Sequence, residues 1–162
     1  MIVLDSNVWV RGSYTHDERA VALLEAIDSG EKSTVVDAYI VNEVQAVFDR
    51  QRGQRRFTRE IIEKAERIFY ELLTRPNVTS CSQRAVESLD HIEHRKDRYV
   101  QLLSDVFDIQ AKDAPIIALA YQYRDTHPVI YTHDESFAAL DPSVHGLSEL
   151  VVEHVPDTAP PE

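Results

Sequence analysis

Cysteine is almost missing from this chain. Cys81 is the single one among 162 residues, so no internal disulfide can form and the fold must rest on its apolar core. Cys81 falls in an expected strand, where a buried structural thiol is the simpler reading. Long apolar runs are missing too. None approaches the ~20 residues that cross a bilayer, so no membrane association is expected. A strand-like segment begins at Ile2, which leaves no room for a signal peptide. These absences together lead us to expect a cytoplasmic protein. Positive charge is scarce: 17 Lys and Arg stand against 28 Asp and Glu, a net charge of −11. Lys occurs only at Lys32, Lys64, Lys96 and Lys112. Such a field repels nucleic acid at long range, so a nucleic-acid partner needs local basic patches or bound cations. An acidic, Lys-poor surface also fits adaptation to high salt, where long-range repulsion is screened. No internal repeat or low-complexity segment is present.

What is present suffices for one domain. A hydrophobic fraction of 43% over 162 residues is ordinary for a globular chain. We expect a single domain over residues 1–155 and a Pro-rich, disordered tail over 156–162. Apolar patterning predicts strands at 2–5, 33–36, 78–81, 129–132 and 150–155. Residues 11–15 read as a polar loop. Helices are expected at 17–29, from a cap at Asp37, at 58–74, at 83–103 or beyond, at 114–123 and around 136–140. The stripe Ile40, Val41, Val44, Val47, Phe48 has a clear 3.6-residue period. Strands alternating with helices imply an α/β fold: a three-layer α/β/α sandwich around a central, mainly parallel sheet of four to five strands.

Four acids stand out against that core. Asp5 follows the apolar run Ile2-Val3-Leu4, at the exit of a buried strand. Ligands in open parallel sheets bind just beyond the carboxyl ends of strands. Asp134 repeats the pattern after the strand ending at Thr132. Glu43 lies on or beside the buried face of its helix, three residues after Ile40 and four before Val47. A buried carboxylate costs several kcal/mol unless paired or coordinated; Glu43 either snorkels to an Arg or faces a ligand. Asp113 opens the stripe Ile116, Ile117, Ala120, and is an N-cap, a ligand, or both. Clustered acids repel one another unless cations neutralise them, and an all-oxygen set suits Mg²⁺ or Mn²⁺.

Four segments in order carry a family resemblance: Leu4-Asp5-Ser6-Asn7, Asn42-Glu43-Val44, Asp113 through Ala120, and Thr132-His133-Asp134-Glu135-Ser136-Phe137. With these the chain resembles the PIN-domain proteins, the fold of VapC-type toxin ribonucleases and related metal-dependent nucleases. The resemblance spans residues 1 to about 140. It implies that Asp5, Glu43, Asp113 and Asp134 are the catalytic, metal-binding acids, with Mg²⁺ or Mn²⁺ as cofactor. It implies that Asn7 and Thr132 are neighbouring polar groups that orient a ligand or water. It further implies cleavage of RNA to 5′-phosphate and 3′-hydroxyl ends, an antitoxin partner and a homodimer. One departure is Ser136, where many members carry a further acid; a second metal would then bind weakly. The region from about 58 to 112 is longer than in the shortest members, and its extra helix has no assigned role.

The basic stretch from Arg50 to Arg59, with Arg55 and Arg56 at its centre, could meet RNA phosphates, with Phe57 available for stacking. A solvated loop or an acidic partner protein would use the same residues. His91 and His94 have a chelating spacing but lack further ligands, and a solvated helix face over 91–98 is expected. His133 lies beside Asp134, within reach of substrate. The competing functions are a housekeeping nuclease of the same fold in RNA processing or decay, and a catalytically weak domain that binds RNA or protein. A phosphatase of the haloacid dehalogenase type would want Asp-x-Asp, and Asn7 occupies the second position. A response-regulator receiver would need a differently arranged acid pair and a late Lys, which are not found.

Overall fold

The segment Ile2-Val3-Leu4 is apolar on both faces and forms a strand fully covered by protein, β1 (Ile2–Leu4). The computed structural model describes residues 1–15 and 17–157. Within them the sheet has five strands: β1, β2 (Thr34–Val36), β3 (Val78–Ser80), β4 (Val129–Thr132) and β5 (Val151–His154). Their order is β3-β2-β1-β4-β5, and every pairing is parallel. The sequence order therefore reverses at β1, which pairs with β2 on one side and β4 on the other. In register, Leu4 lies beside Tyr131, so Asp5 and Thr132 leave the sheet side by side. That reversal opens a crevice between the carboxyl ends of β1 and β4.

Nine α-helices are found among the described residues: α1 (Ser6–Ser13), α2 (Glu18–Asp28), α3 (Ala38–Arg52), α4 (Arg59–Leu72), α5 (Gln83–Ser88), α6 (His91–His94), α7 (Arg98–Phe107), α8 (Ala114–Gln122) and α9 (Glu135–Ala138). They flank the parallel sheet in the expected α/β/α arrangement. Among the described residues none is long and apolar enough to cross a membrane. Of the expected tail, only Pro156 and Asp157 are described; 158–162 lie outside the described residues. Caps explain most helix starts. Asp17 accepts from the amides of Arg19 and Ala20, Asp37 from Ile40 and Thr58 from Ile61.

Two expectations fail, each for a physical reason. The predicted polar loop at 11–15 instead begins as the last turn of α1, Arg11 to Ser13, and only Tyr14 and Thr15 lie in a turn. The Gly and Val residues of α1 are poor helix formers, but Val8, Trp9 and Val10 are buried, and packing overrides propensity. Trp9 meets Phe69 of α4 edge-on at 5.5 Å, and Tyr14 meets Phe48 of α3 at 5.9 Å. The long helix expected over 83–103 is broken into α5, α6 and α7. Leu89 is extended, and the Asp90 side chain accepts from the amides of Ile92 and Glu93. Such local side-chain bonds compete with helix continuation. Cys81 lies one residue past β3 and is half-buried rather than a core thiol.

Trp9 is fully buried, and its indole N–H has no partner among the described residues. Trp9→Ala should therefore cost about 3–5 kcal/mol. Trp9→Phe keeps an aromatic edge against Phe69 and removes the unpaired donor, so its cost should stay below about 2 kcal/mol. Urea melts followed by circular dichroism read the difference, since Trp9 is the chain's one tryptophan.

Candidate functional site

The two strand ends meet first. Asp5 caps α1 through the Ser6 amide, which donates to Oδ1 at 2.7 Å. Its Oδ2 accepts from the Thr132 hydroxyl at 2.8 Å. The same hydroxyl oxygen accepts from the Asp134 amide at 3.0 Å. Thr132 thus ties the end of β1 to the turn after β4. Asp134 caps α9 through the amides of Ser136 and Phe137, and its other oxygen takes a 2.8 Å bond from Lys112 Nζ. Asn7 Oδ1 accepts from the His133 amide at 3.3 Å, a further tie between α1 and the turn.

Asp113 is the unusual acid. It stands before α8 yet makes no capping bond, and its backbone is helical rather than extended. It is only 2% exposed, and no described group donates a hydrogen bond to its carboxylate. The expected N-cap role is therefore not its use. Burial, with the charges of Asp5, Asp134 and Glu43 added, raises its pKa to about 7 against the pull of Lys112. Glu43 is buried on α3 and is met by two donors, the Tyr39 hydroxyl at 3.2 Å and the Arg95 guanidinium. Burial and then Asp5 raise its pKa. Asp5 is raised by burial, with a contribution from Asp134. Asp134 is lowered, chiefly by the hydrogen bond from Lys112.

The four sequence-predicted acids therefore share one electrostatic neighbourhood: Asp113 feels the other three. Among the described residues, no three His, Cys, Asp or Glu groups converge as a ready cation cage. Two of the acids are drawn onto cations instead, Asp134 onto Lys112 and Glu43 onto Arg95. Lys112 stays charged because Asp134, Asp113 and Asp5 outweigh the burial that opposes its charge.

Other predicted groups end elsewhere. Arg55 and Arg56 are exposed on the turn after α3, and neither lines the pocket beside Glu43. Phe57 is not open for stacking on a base: it lies against Tyr14 at 4.6 Å, nearly parallel, with Arg56 5.6 Å from its ring centre. The His133 ring turns inward, with Nδ1 2.6 Å from the Val155 carbonyl and Nε2 3.7 Å from Asp17. It is not placed to touch substrate. His91 and His94 are half-buried, with both rings near Tyr39 at 6.4 and 5.7 Å, while Ile92, Glu93 and Lys96 to Arg98 around them are exposed as expected.

Three groups are not evident from the sequence pattern. The single Tyr39 hydroxyl proton lies within reach of the Lys112 carbonyl at 2.9 Å and Glu43 at 3.2 Å, and the oxygen accepts from Arg95 Nε at 2.9 Å. It holds α3, α6 and the segment before α8 together. Tyr39 precedes Glu43 by four residues, one turn on the same face, which was the available signal. Lys112 adjoins Asp113 in sequence and was equally available. Nothing local marks Arg95, which is 52 residues from Glu43.

The fold is shared with known proteins. The PIN-domain family matches residues 1–127. The chain belongs to the PIN-domain family. A chain of the crystal structure of VapBC2 from Rickettsia felis, bound to a DNA fragment from their promoter, has the same fold. The TM-score is 0.51 at 15% identity, over 95% of this chain and 98% of that one. No curated protein sequence matches.

The charge on Asp113 makes metal-free stability depend on pH. An unfolded Asp titrates near 3.8 and this one near 7. Between those values the folded state holds a proton that the unfolded state lacks, so stability is lost as pH rises through 7. Without metal, the wild type should be more stable at pH 6 than at pH 8 by about 1 kcal/mol from this group, roughly 3 °C in Tm. His133 is lowered by burial and works in the opposite direction below 6.5, so the comparison is made against Asp113→Asn. The variant should be the more stable protein at pH 8, with the gap closing toward pH 6. Equal pH slopes for both proteins in EDTA would refute the assignment.

Proposed function

We propose that this chain is a metal-dependent endoribonuclease that hydrolyses RNA phosphodiester bonds and acts as a VapC-type toxin restrained by an antitoxin. PIN domains are generally nucleases and generally use divalent metal ions. The observation that carries the reading is Asp113, a buried carboxylate without a hydrogen-bond donor, beside Asp5, Glu43 and Asp134. The donor set is all carboxylate oxygen, as Mg²⁺ or Mn²⁺ prefers. Asp5 and Asp113 would hold the ion, joined by Glu43 and Asp134 directly or through water. When bound, the ion would polarise a phosphate oxygen and lower the pKa of a water.

The remaining work falls to this chain's own groups. Thr132 keeps Asp5 Oδ2 fixed, so the carboxylate presents one orientation. Asn7 steadies the turn that carries Asp134. Lys112 stands beside Asp134 with spare N–H donors for a phosphate oxygen. Hydrolysis adds water oxygen to phosphorus and releases the 3′-oxygen, which takes a proton. The antitoxin partner is supported by the VapBC2 fold likeness. A protein partner, a second copy included, is also supported by the exposed apolar stripe Tyr99, Leu102, Val106 on α7. Lys112 on Asp134, with Ser136 where many members have an acid, favours a second reading: a weakly catalytic domain that binds RNA through the same crevice.

The test is cleavage of a mixed RNA pool with Mg²⁺ or Mn²⁺, at low and high salt. EDTA should abolish cleavage, and Asp5→Asn and Asp113→Asn should each lower it at least ~100-fold with helical content retained. Binding without cleavage, from folded wild type with either metal, would select the second reading. Identical products from wild type and Asp5→Asn would reject the site.

A further inference from the structure

A pocket of about 260 Å³ lies beside the acids, between α3 and the turn of α6. One face of α3 forms its floor: Glu43, Val47 and Arg50, at i, i+4 and i+7. His91 and Arg95 form the wall, one turn apart, and Ser6, next to Asp5, closes the acid end. Arg50 stands two helical turns from Glu43, ~10 Å along the axis.

The charges in this pocket are uneven. Its carboxylate, Glu43, is already paired with Arg95. Arg50 is exposed and has no acid partner among the described residues, whereas the nearby Arg52 is held by Asp49 and Glu66. Arg95 is oriented rather than loose. Its Nε donates to the Tyr39 hydroxyl and its Nη2 to Glu43, and its guanidinium lies 5.9 Å from the Tyr39 ring centre. No described group takes the Nη1 edge of the fork. A guanidinium fixed on one edge and open on the other is suited to a phosphate. In a chain of net charge −11, this is a local basic patch joined to the acidic crevice.

We propose that this pocket seats a backbone phosphate of a single RNA strand, next to the phosphate being cleaved, with Arg50 and Arg95 as its grip. The proposal rests on the nuclease reading for its substrate and adds the position from which the strand is held. It also gives the α5–α7 region a role, because the breaks at Leu89 and after His94 turn Arg95 back toward α3.

The test uses the full chain in EDTA, so that binding is read without cleavage. Anisotropy of a short labelled single-stranded oligoribonucleotide is followed against salt. Arg50→Ala should weaken binding about tenfold and lower the slope of log K against log salt by about 0.7, the loss of one phosphate contact on a single strand. Arg50→Lys should keep the slope. Arg55→Ala and Arg56→Ala should change neither quantity. Arg50 is exposed, so the variants should melt at the wild-type temperature, which thermal melts would check. Unchanged affinity and slope for Arg50→Ala would overturn the proposal, as would wild type that does not bind. Displacement of the strand by inorganic phosphate at equal concentration would also overturn it, as the mark of a pocket for free phosphate. Arg50-dependent binding by a protein that never cleaves would sink the nuclease reading and leave the phosphate seat standing.

Discussion

Like charge held out of water is the constraint around which this molecule is arranged. Asp5, Glu43 and Asp113 are all buried, and each has its pKa raised by burial and by at least one other acid. Stability alone would not retain such a group, because apolar residues of similar size would pack at lower cost. The surroundings offset part of the penalty. Thr132 and the Ser6 amide serve Asp5, Tyr39 and Arg95 serve Glu43, and Lys112 serves Asp134. Asp113 is left without a donor among the described residues, and its raised proton affinity is the residual strain of the arrangement.

The sheet determines why the penalty concentrates here. A parallel sheet whose order reverses at β1 must leave a gap where successive connections depart in opposite directions. β1 and β4 end side by side at that gap, so the residues just past them, Asp5 and Asp134, become neighbours although 129 positions apart. Glu43 and Asp113 reach the same place from helices that follow β2 and precede β4. A one-residue slip of β1 against β4 would move Asp5 away from Thr132 and break the tie between the two turns.

What the sequence makes legible divides along the same line, between local chemistry and distant partners. β1, the cap at Asp37, the helix beginning at Thr58 and the stripe of α3 depend on local chemistry, and each was legible. The four acids were legible from their places: Asp5 and Asp134 at the exits of buried strands, Glu43 on or beside an apolar helix face, and Asp113 at the head of an apolar stripe. What could not be read depended on distant partners. α1 forms because Trp9 packs on Phe69, sixty residues away, against the propensity of its own Gly and Val residues. The segment 83–107 has helical composition throughout, and its division turns on one carboxylate, Asp90, binding nearby amides. Of the cations that answer the acids, Lys112 had a local mark, its place beside Asp113, whereas Arg95 looks like ordinary surface charge until the fold brings it to Glu43.

On the proposed reading, the distribution of these cations also resolves the conflict between an acidic chain and a polyanionic substrate. A net charge of −11 repels RNA only as far as the Debye length allows, ~8 Å at physiological ionic strength and less in stronger salt. Contact is then decided by the charges nearest the strand. Around the crevice these are Arg50, Arg95 and Lys112, two of which are committed to acids while no cation is bound. A divalent ion that took over Glu43 and Asp134 would release Arg95 and Lys112 from their carboxylates. Metal and strand would therefore favour one another's binding, since each is helped by what the other displaces. On the proposed reading, the two ion pairs of the metal-free protein make the acids tolerable within the fold and hold Arg95 oriented, with one edge of its guanidinium open to the strand.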